Sequence, residues 1–272
     1  MESRRSDRLF DDPLAAAFVE AAGGDFDSPP SSSSMDVRPM RDAYVAIRTR
    51  FFDEALLSAS DDGIRQVVIL GAGLDVRAFR LPWHHGTRVF ELDMADVFEF
   101  KERVLAEQRA KPRCERIVVP VDLRDDWPTA LRSSKFRADQ ASKWLLEGVL
   151  MYLAQAERDR LIEQVSSLAD SASQMAVEPP TWRIPAEVAA TVARGTLDQV
   201  TVATAAQLSQ AAAGEASVAD PAGWLSGWGW RVQLYDVAER FAAYGREPSP
   251  RVADMLSASR RQWLAIAERR SV

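Results

Sequence analysis

The sequence predicts an α/β protein, a doubly wound and mostly parallel sheet covered by helices on both faces. Three observations carry this. Short apolar runs alternate with helical stretches from residue 66 to residue 178. The first run, QVVIL at Gln66–Leu70, leads directly into Gly71-Ala72-Gly73, a turn that lets the backbone approach a ligand closely. Acidic residues then recur near the ends of successive runs, at Asp93, Asp122 and Glu147. In open α/β sheets, ligands bind outside the carboxyl ends of the strands.

The elements follow in order. Residues 1 to about 24 carry a helical pattern through Leu9, Phe10, Leu14, Phe18 and Val19. Residues 25–37 are rich in Ser, Pro and Asp and predict a mobile loop. A helix over 40–58 buries Tyr44, Ile47, Phe51, Phe52 and Leu56. The core then reads as strand 66–70, helix 75–80, strand 88–92, helix 96–109, strand 116–121 and a helix from 127 to 131. It continues with strand 143–149, helix 155–168 and strand 174–178. From Pro179 to Ala222 the alternation breaks into an Ala-rich helical insertion. Residues 230–234 and 262–266 are the last strand candidates, an antiparallel hairpin at the sheet's C-terminal edge. The organisation is thus a helical cap or lid (1–60), a core (61–178), a covering insertion (179–222) and a C-terminal part completing the sheet (223–272).

Composition narrows the function. The net charge is −6 and no window concentrates basic residues without acids between them, so nucleic acid is not an expected partner. No apolar run reaches the roughly 18–20 residues of a membrane helix. The N-terminus, MESRRSDRLFDDP, has no apolar signal region, so a cytoplasmic location is expected. The single cysteine, Cys114, sits in the charged stretch KPRCER. Without further cysteine or histidine beside it, no metal is expected.

Five motifs bear on chemistry. In VVILGAGLD, Gly71, Ala72 and Gly73 form the floor of a ligand site; the alternative is a tight structural turn. A dinucleotide fingerprint would want a third glycine where Val76 stands, which points to a cofactor without a phosphate. In FELDMAD, Asp93 lies 20 residues after Gly73 at a strand end, where a carboxylate accepts from both hydroxyls of a ribose. Glu91 points to the same side, but Asp93 is nearer the strand end; a surface acid is the alternative. In VPVDLRDDW, Asp122 is placed to accept from an adenine amine and the Leu123 N–H to meet a ring nitrogen; a helix N-cap is the rival reading of this Asp. In KWLLEGVLMYL, Glu147 lies within an apolar strand and needs a partner, either a ligand ammonium or a salt bridge. In AIRTRFFDE, Arg48 suits a ligand carboxylate, against solvated helix charges as the alternative.

Together RTRFFDE, QVVILGAGLDVRAFRL, ELD, VDLRDDW, WLLEGVLMYL and WLSGWGWRV resemble the leucine carboxyl methyltransferase family, most closely its bacterial, small-molecule and polyketide O-methyltransferase branch. The resemblance runs from about Arg8 to Tyr244. It implies a class I methyltransferase fold, S-adenosylmethionine as methyl donor and a small-molecule acceptor, with a place in secondary metabolism. It further implies that Arg48 binds the cofactor carboxylate, that Gly71 and Gly73 form its floor, and that Asp93 holds the ribose. Asp122 and Leu123 would bind adenine, and Glu147 would lie near the methionine amino group or the reacting centre. Trp182 and Tyr152 are candidate acceptor contacts. The only histidines, His84 and His85, precede the second strand and so lie at the amino end of the sheet, away from the cofactor. That favours a carboxylate acceptor, already ionised at neutral pH, or a hydroxyl served by an acid residue or a tyrosine. A fold kept only for binding is the rival reading, opposed by the intact Asp93, Asp122 and Glu147.

Overall fold

The computed structural model describes residues 2–23, 38–181, 217–248, 253 and 261–270. Its centre is a seven-stranded sheet: β1 (Gln66–Leu70), β2 (Arg88–Asp93), β3 (Glu115–Pro120), β4 (Ser142–Leu146), β5 (Gln174–Val177), β6 (Trp230–Asp236) and β7 (Trp263–Arg269). The spatial order is β3-β2-β1-β4-β5-β7-β6, and β7 alone runs antiparallel to its neighbours. The order reverses between β1 and β4, which puts a switch point at their carboxyl ends.

Every residue of β1 and β4 is buried. That is why they read as continuous runs rather than alternating ones. Val67 and Ile69 face a cluster with Ile47, Phe52 and Leu56 of α2 (Arg38–Asp61). Val68 and Leu70 face the opposite cluster, with Trp127 of α5 (Trp127–Ser133) and Leu161, Ile162 and Val165 of α6 (Gln155–Leu168). Each such large apolar side chain, fully buried, contributes about 1.5–3 kcal/mol. Alternate residues of one strand thus knit two helical layers to one sheet.

The N-terminal pattern resolves into a 3-10 turn (Glu2–Arg4) and a short helix, α1 (Ala15–Ala21), rather than one helix. Pro13 interrupts the run, and Asp12 Oδ1 accepts from the N–H groups of Leu14 and Ala15 at 3.0 and 2.9 Å. Leu14 and Phe18 are buried in the α2-side cluster, and Arg246 bonds both Glu2 and Asp7, fastening this segment to the core. The helix expected over 75–80 is one turn, α3 (Arg77–Arg80), and the next is α4 (Ala95–Glu107). Two helices escaped the periodicity: α7 (Pro221–Gly227) and α8 (Val237–Ala243). Each has a capping Asp, Asp220 on Gly223 N–H at 2.9 Å and Asp236 on Ala238 N–H at 2.8 Å. The Ser-Pro loop and nearly all of the 179–222 insertion, with Trp182, lie outside the described residues. No helix among the described residues is long and apolar enough to cross a membrane.

The strand expected over 143–149 stops at Leu146. Gly148, at φ 67°, turns the chain away and Leu150–Tyr152 form a 3-10 turn. Glu147 is therefore a loop residue at the strand's mouth, not a member of the strand.

Candidate active site

The glycine turn is shaped by β1 and β2 together. Gly71 and Gly73 take φ of 67° and 44°, where only glycine sits without strain. A Cβ on Gly71 would stand 2.8 Å from Val149 Cγ2, whereas one on Gly73 would meet open space. The Ala72 N–H donates to the Leu92 carbonyl at 2.9 Å, tying the turn to β2. Gly73 N–H donates to Asp93 Oδ2 at 2.6 Å and Met94 N–H to Oδ1 at 2.7 Å. Burial pushes the Asp93 carboxyl above its ordinary value, against the pull of these two donors. Leu74 and Met94, one beside each of Gly73 and Asp93, are the exposed large apolar residues among those described.

Asp122 lies two residues beyond β3 and accepts from the Arg124 N–H and Nε, both at 2.9 Å. The Arg124 side chain holds its carboxyl below the ordinary range. It does not cap α5; Asp126 does, accepting from Thr129 N–H at 3.3 Å. Leu123 beside it is half-buried.

Glu91 takes another role. It is fully buried and pairs with Lys101 Nζ and Arg116 Nη2, both at 2.7 Å. Asp93 is thus the acid of β2 left at the turn. His84 is exposed beside Asp61 at 2.7 Å, and His85 is exposed, both ahead of β2 at the amino end. Burial pushes the Cys114 thiol up to about 12, and its Sγ lies 3.7 Å from the Ala78 carbonyl.

A chain of ion pairs runs along the carboxyl ends of β1, β4 and β5. Arg48 of α2 donates from Nε to Glu147 Oε1 at 2.8 Å and from Nη1 to Glu178 Oε2 at 2.9 Å. Arg77 reaches Glu147 Oε2 at 2.7 Å, Asp53 Oδ1 at 2.7 Å, and Asp75. Arg80 meets Asp53 at 2.5 Å. Glu178 also accepts from the Gly148 N–H at 2.8 Å and from the Tyr44 hydroxyl. Three guanidiniums therefore serve four carboxylates. Burial opposes the charge on Glu147, but Arg77 and Arg48 outweigh it and keep its carboxyl below the ordinary range. The same contest leaves Arg48 more firmly protonated than usual, through Glu178 and Glu147. Burial, reinforced by Glu178, raises the Tyr44 phenol well above 10. Of the two partners the sequence offered Glu147, the salt bridge is formed, with Arg48 and Arg77.

Glu178 and Tyr44 also line a small, open cleft with Gly148, Leu150, Met151 and Trp263. Tyr152 follows on the same 3-10 turn, its phenol raised by burial. Glu178, Arg77, Asp75 and Tyr44 were not among the sequence candidates. For Glu178 the signal was present, since it is an acid at a strand end like the others. A buried Arg77 has no such signal, because its partners come from three separate segments.

The strand order, with β7 antiparallel between β5 and β6, and an acid-lined carboxyl edge at the switch point define a class I methyltransferase fold. A solved structure described as a "putative methyltransferase" from Thermobifida fusca has this fold at TM-score 0.53 and 14% identity, covering 94% of each chain. A DUF574 family protein from Streptomyces avermitilis matches at TM-score 0.51 and 16% identity over 98% of each. The family model for leucine carboxyl methyltransferase matches residues 1–166, and the chain belongs to that family. A "Putative S-adenosyl-L-methionine-dependent methyltransferase" from Frankia alni is 40% identical over 250 residues, 90% of this chain and 83% of that protein. One of the same name from Streptomyces avermitilis is 39% identical over 249 residues, 90% and 84% of the two chains.

By family and fold this is an S-adenosylmethionine-dependent methyltransferase. The residues present fit that cofactor. The open space over Gly73 leaves room for a ligand against the turn, Asp93 stands at the end of β2 with spare acceptor capacity, and no third glycine prepares a diphosphate site.

Proposed function

We propose that this chain transfers a methyl group from adenosylmethionine to an oxygen of a small-molecule acceptor. The observation that carries the reading is the cleft beside Glu178, which opens at the carboxyl ends of β4 and β5, next to Glu147 and Arg48. Asp93 would accept from the ribose hydroxyls, and Gly71, Ala72 and Gly73 would form the floor below. Asp122 and the Leu123 N–H would meet the adenine. Arg48 keeps Nη2 without a hydrogen bond among the described residues, a donor for the cofactor carboxylate. Glu147, fixed by two arginines, would set the negative side of the methionine end. When bound, adenosylmethionine supplies an electrophilic methyl on a sulfonium. The protein's part is to align that methyl with the acceptor, and proximity accounts for much of the rate.

The resemblance to bacterial small-molecule enzymes supports an acceptor from secondary metabolism. A carboxylate needs no base, whereas a hydroxyl needs a proton acceptor in the cleft. The test is methyl transfer from labelled adenosylmethionine to a panel of phenols, alcohols, carboxylic acids and amines. Label is expected on oxygen, with adenosylhomocysteine formed in equal amount. Label recovered only on nitrogen or carbon contradicts the reading.

A further inference from the structure

We infer that the acceptor is a neutral hydroxyl on an aromatic body, seated against Glu178, and that Glu178 accepts its proton as the methyl is transferred. The inference rests on the O-methyl transfer proposed above and names its substrate class.

The charge of the cleft is the first ground. Among its described wall residues Glu178 is the one that carries a charge, and the charge is negative. Arg48 stands behind that carboxylate but is divided between Glu178 and Glu147, and Arg77 and Arg80 are committed to Asp53, Asp75 and Glu147. The spare donor of Arg48, Nη2, is the one assigned above to the cofactor carboxylate, which leaves none of the three guanidiniums to balance an acceptor carboxylate. A carboxylate acceptor would face Glu178 uncompensated, and like charges brought together at a desolvated site are strongly disfavoured. A neutral hydroxyl meets the same carboxylate as a hydrogen-bond donor.

The geometry of Glu178 is the second. Its Oε2 is filled by Arg48 and the Gly148 N–H, while among the described residues Oε1 accepts only from the Tyr44 hydroxyl. A carboxylate oxygen accepts two hydrogen bonds, so Oε1 keeps a lone pair toward the cleft. The apolar walls are the third. Leu150, Met151, Pro179, Pro180 and Trp263, with Thr181 and Gln262 as polar groups among them, suit a ring that carries a polar substituent.

The step balances without another reagent. The hydroxyl oxygen forms the new O–CH3 bond as the S–CH3 bond breaks. The sulfur keeps that bond's electron pair and becomes the neutral thioether. The hydroxyl proton passes to Glu178 Oε1. An attacking hydroxyl grows strongly acidic as its oxygen becomes positive, so a carboxylate suffices as acceptor.

The test uses 2-naphthol and 2-naphthoate, one aromatic body bearing a neutral hydroxyl or a carboxylate at pH 7. Each is titrated calorimetrically into protein saturated with adenosylhomocysteine. Naphthol is expected to bind at least about tenfold more tightly. Glu178→Gln should keep adenosylhomocysteine affinity within a few-fold and lose the discrimination, with naphthoate gaining. Tyr44→Phe keeps the carboxylate and should keep the discrimination, so a loss there too would mark general damage and overturn the role given to Glu178. Methyl transfer to naphthol should fall about 100-fold or more in Glu178→Gln. That loss should shrink at a pH where naphthol is ionised, which a merely structural role would not produce. Equal or tighter binding of naphthoate, no binding of either probe, or no methyl transfer to naphthol overturns the inference alone. Failure of adenosylhomocysteine to bind overturns the function beneath it as well.

Discussion

Arg77 shows how the site is built one side chain at a time. It is 3% exposed and lies among Asp53, Asp75 and Glu147. Burying any one of these charges alone is costly, and they persist because each has a partner. Arg77→Leu would leave three carboxylates short of a cation, and breaking a buried pair from one side costs about 3–5 kcal/mol. Urea unfolding at pH 7 is expected to show that loss. The same network sets an acid limit. Burial works against the charged forms of Asp75 and Glu147, but the arginines win and both carboxyls titrate below their ordinary values. Groups with depressed folded pKa values stabilise the fold above their unfolded values, roughly 3.9 for Asp and 4.3 for Glu. That contribution is lost as pH falls through the lower folded values. Wild-type stability should therefore fall below about pH 4, and Arg77→Leu should flatten the fall.

At the scale of the element, β1 and its turn were the most legible part of the chain. The run QVVIL is bounded as the sequence predicts, because a strand buried on both faces has little freedom in composition. The turn beyond it separates two glycines by function. Both carry positive φ, so alanine at either costs about 1–2 kcal/mol of left-handed strain. Gly71→Ala adds a clash with Val149 and should appear mainly as lost stability. Gly73→Ala projects into open space and should appear mainly as lost cofactor affinity. Thermal unfolding beside cofactor titration separates them, and the reverse pattern contradicts the placement of the cofactor over Gly73. β4 carries a different cost at its amino end. Lys143 is 1% exposed, and burial drops its pKa to about 7, with a 3.1 Å bond to Gln174 Oε1. A lysine depressed in the fold binds fewer protons there than in the unfolded chain. Its penalty is full below about pH 7 and lifts as pH rises toward the unfolded value of roughly 10.4. Lys143→Met should raise stability at pH 6 by at least about 1 kcal/mol. The gain should shrink by pH 10; a destabilised variant at pH 6 would show that the ammonium is well matched.

For the molecule as a whole, the sheet was readable and the charge network was not. Alternating runs dictated β1 to β5, and the rule that acids at strand ends face a ligand drew Asp93 and Asp122 from the sequence, which lie at the end of β2 and just past β3. The same rule applied to β5 would have found Glu178. Glu147 was placed in a strand because VLMYL continues the apolar run, and only the positive φ of Gly148 ends it early. The Arg48–Glu147–Arg77 chain was beyond reach, since its members lie on α2, after β4 and on α3 and meet only once the sheet has formed. The central claim is that the carboxyl edge of β1 and β2 holds the nucleoside of adenosylmethionine, with Asp93 on the ribose. The direct measurement is calorimetric titration of adenosylhomocysteine into the wild type and into Asp93→Ala, with NAD as control. One site is expected in the wild type, weakened by about 1–3 kcal/mol in Asp93→Ala, and none for NAD. Equal affinity in the two proteins, or no heat from either at millimolar ligand, would contradict the account.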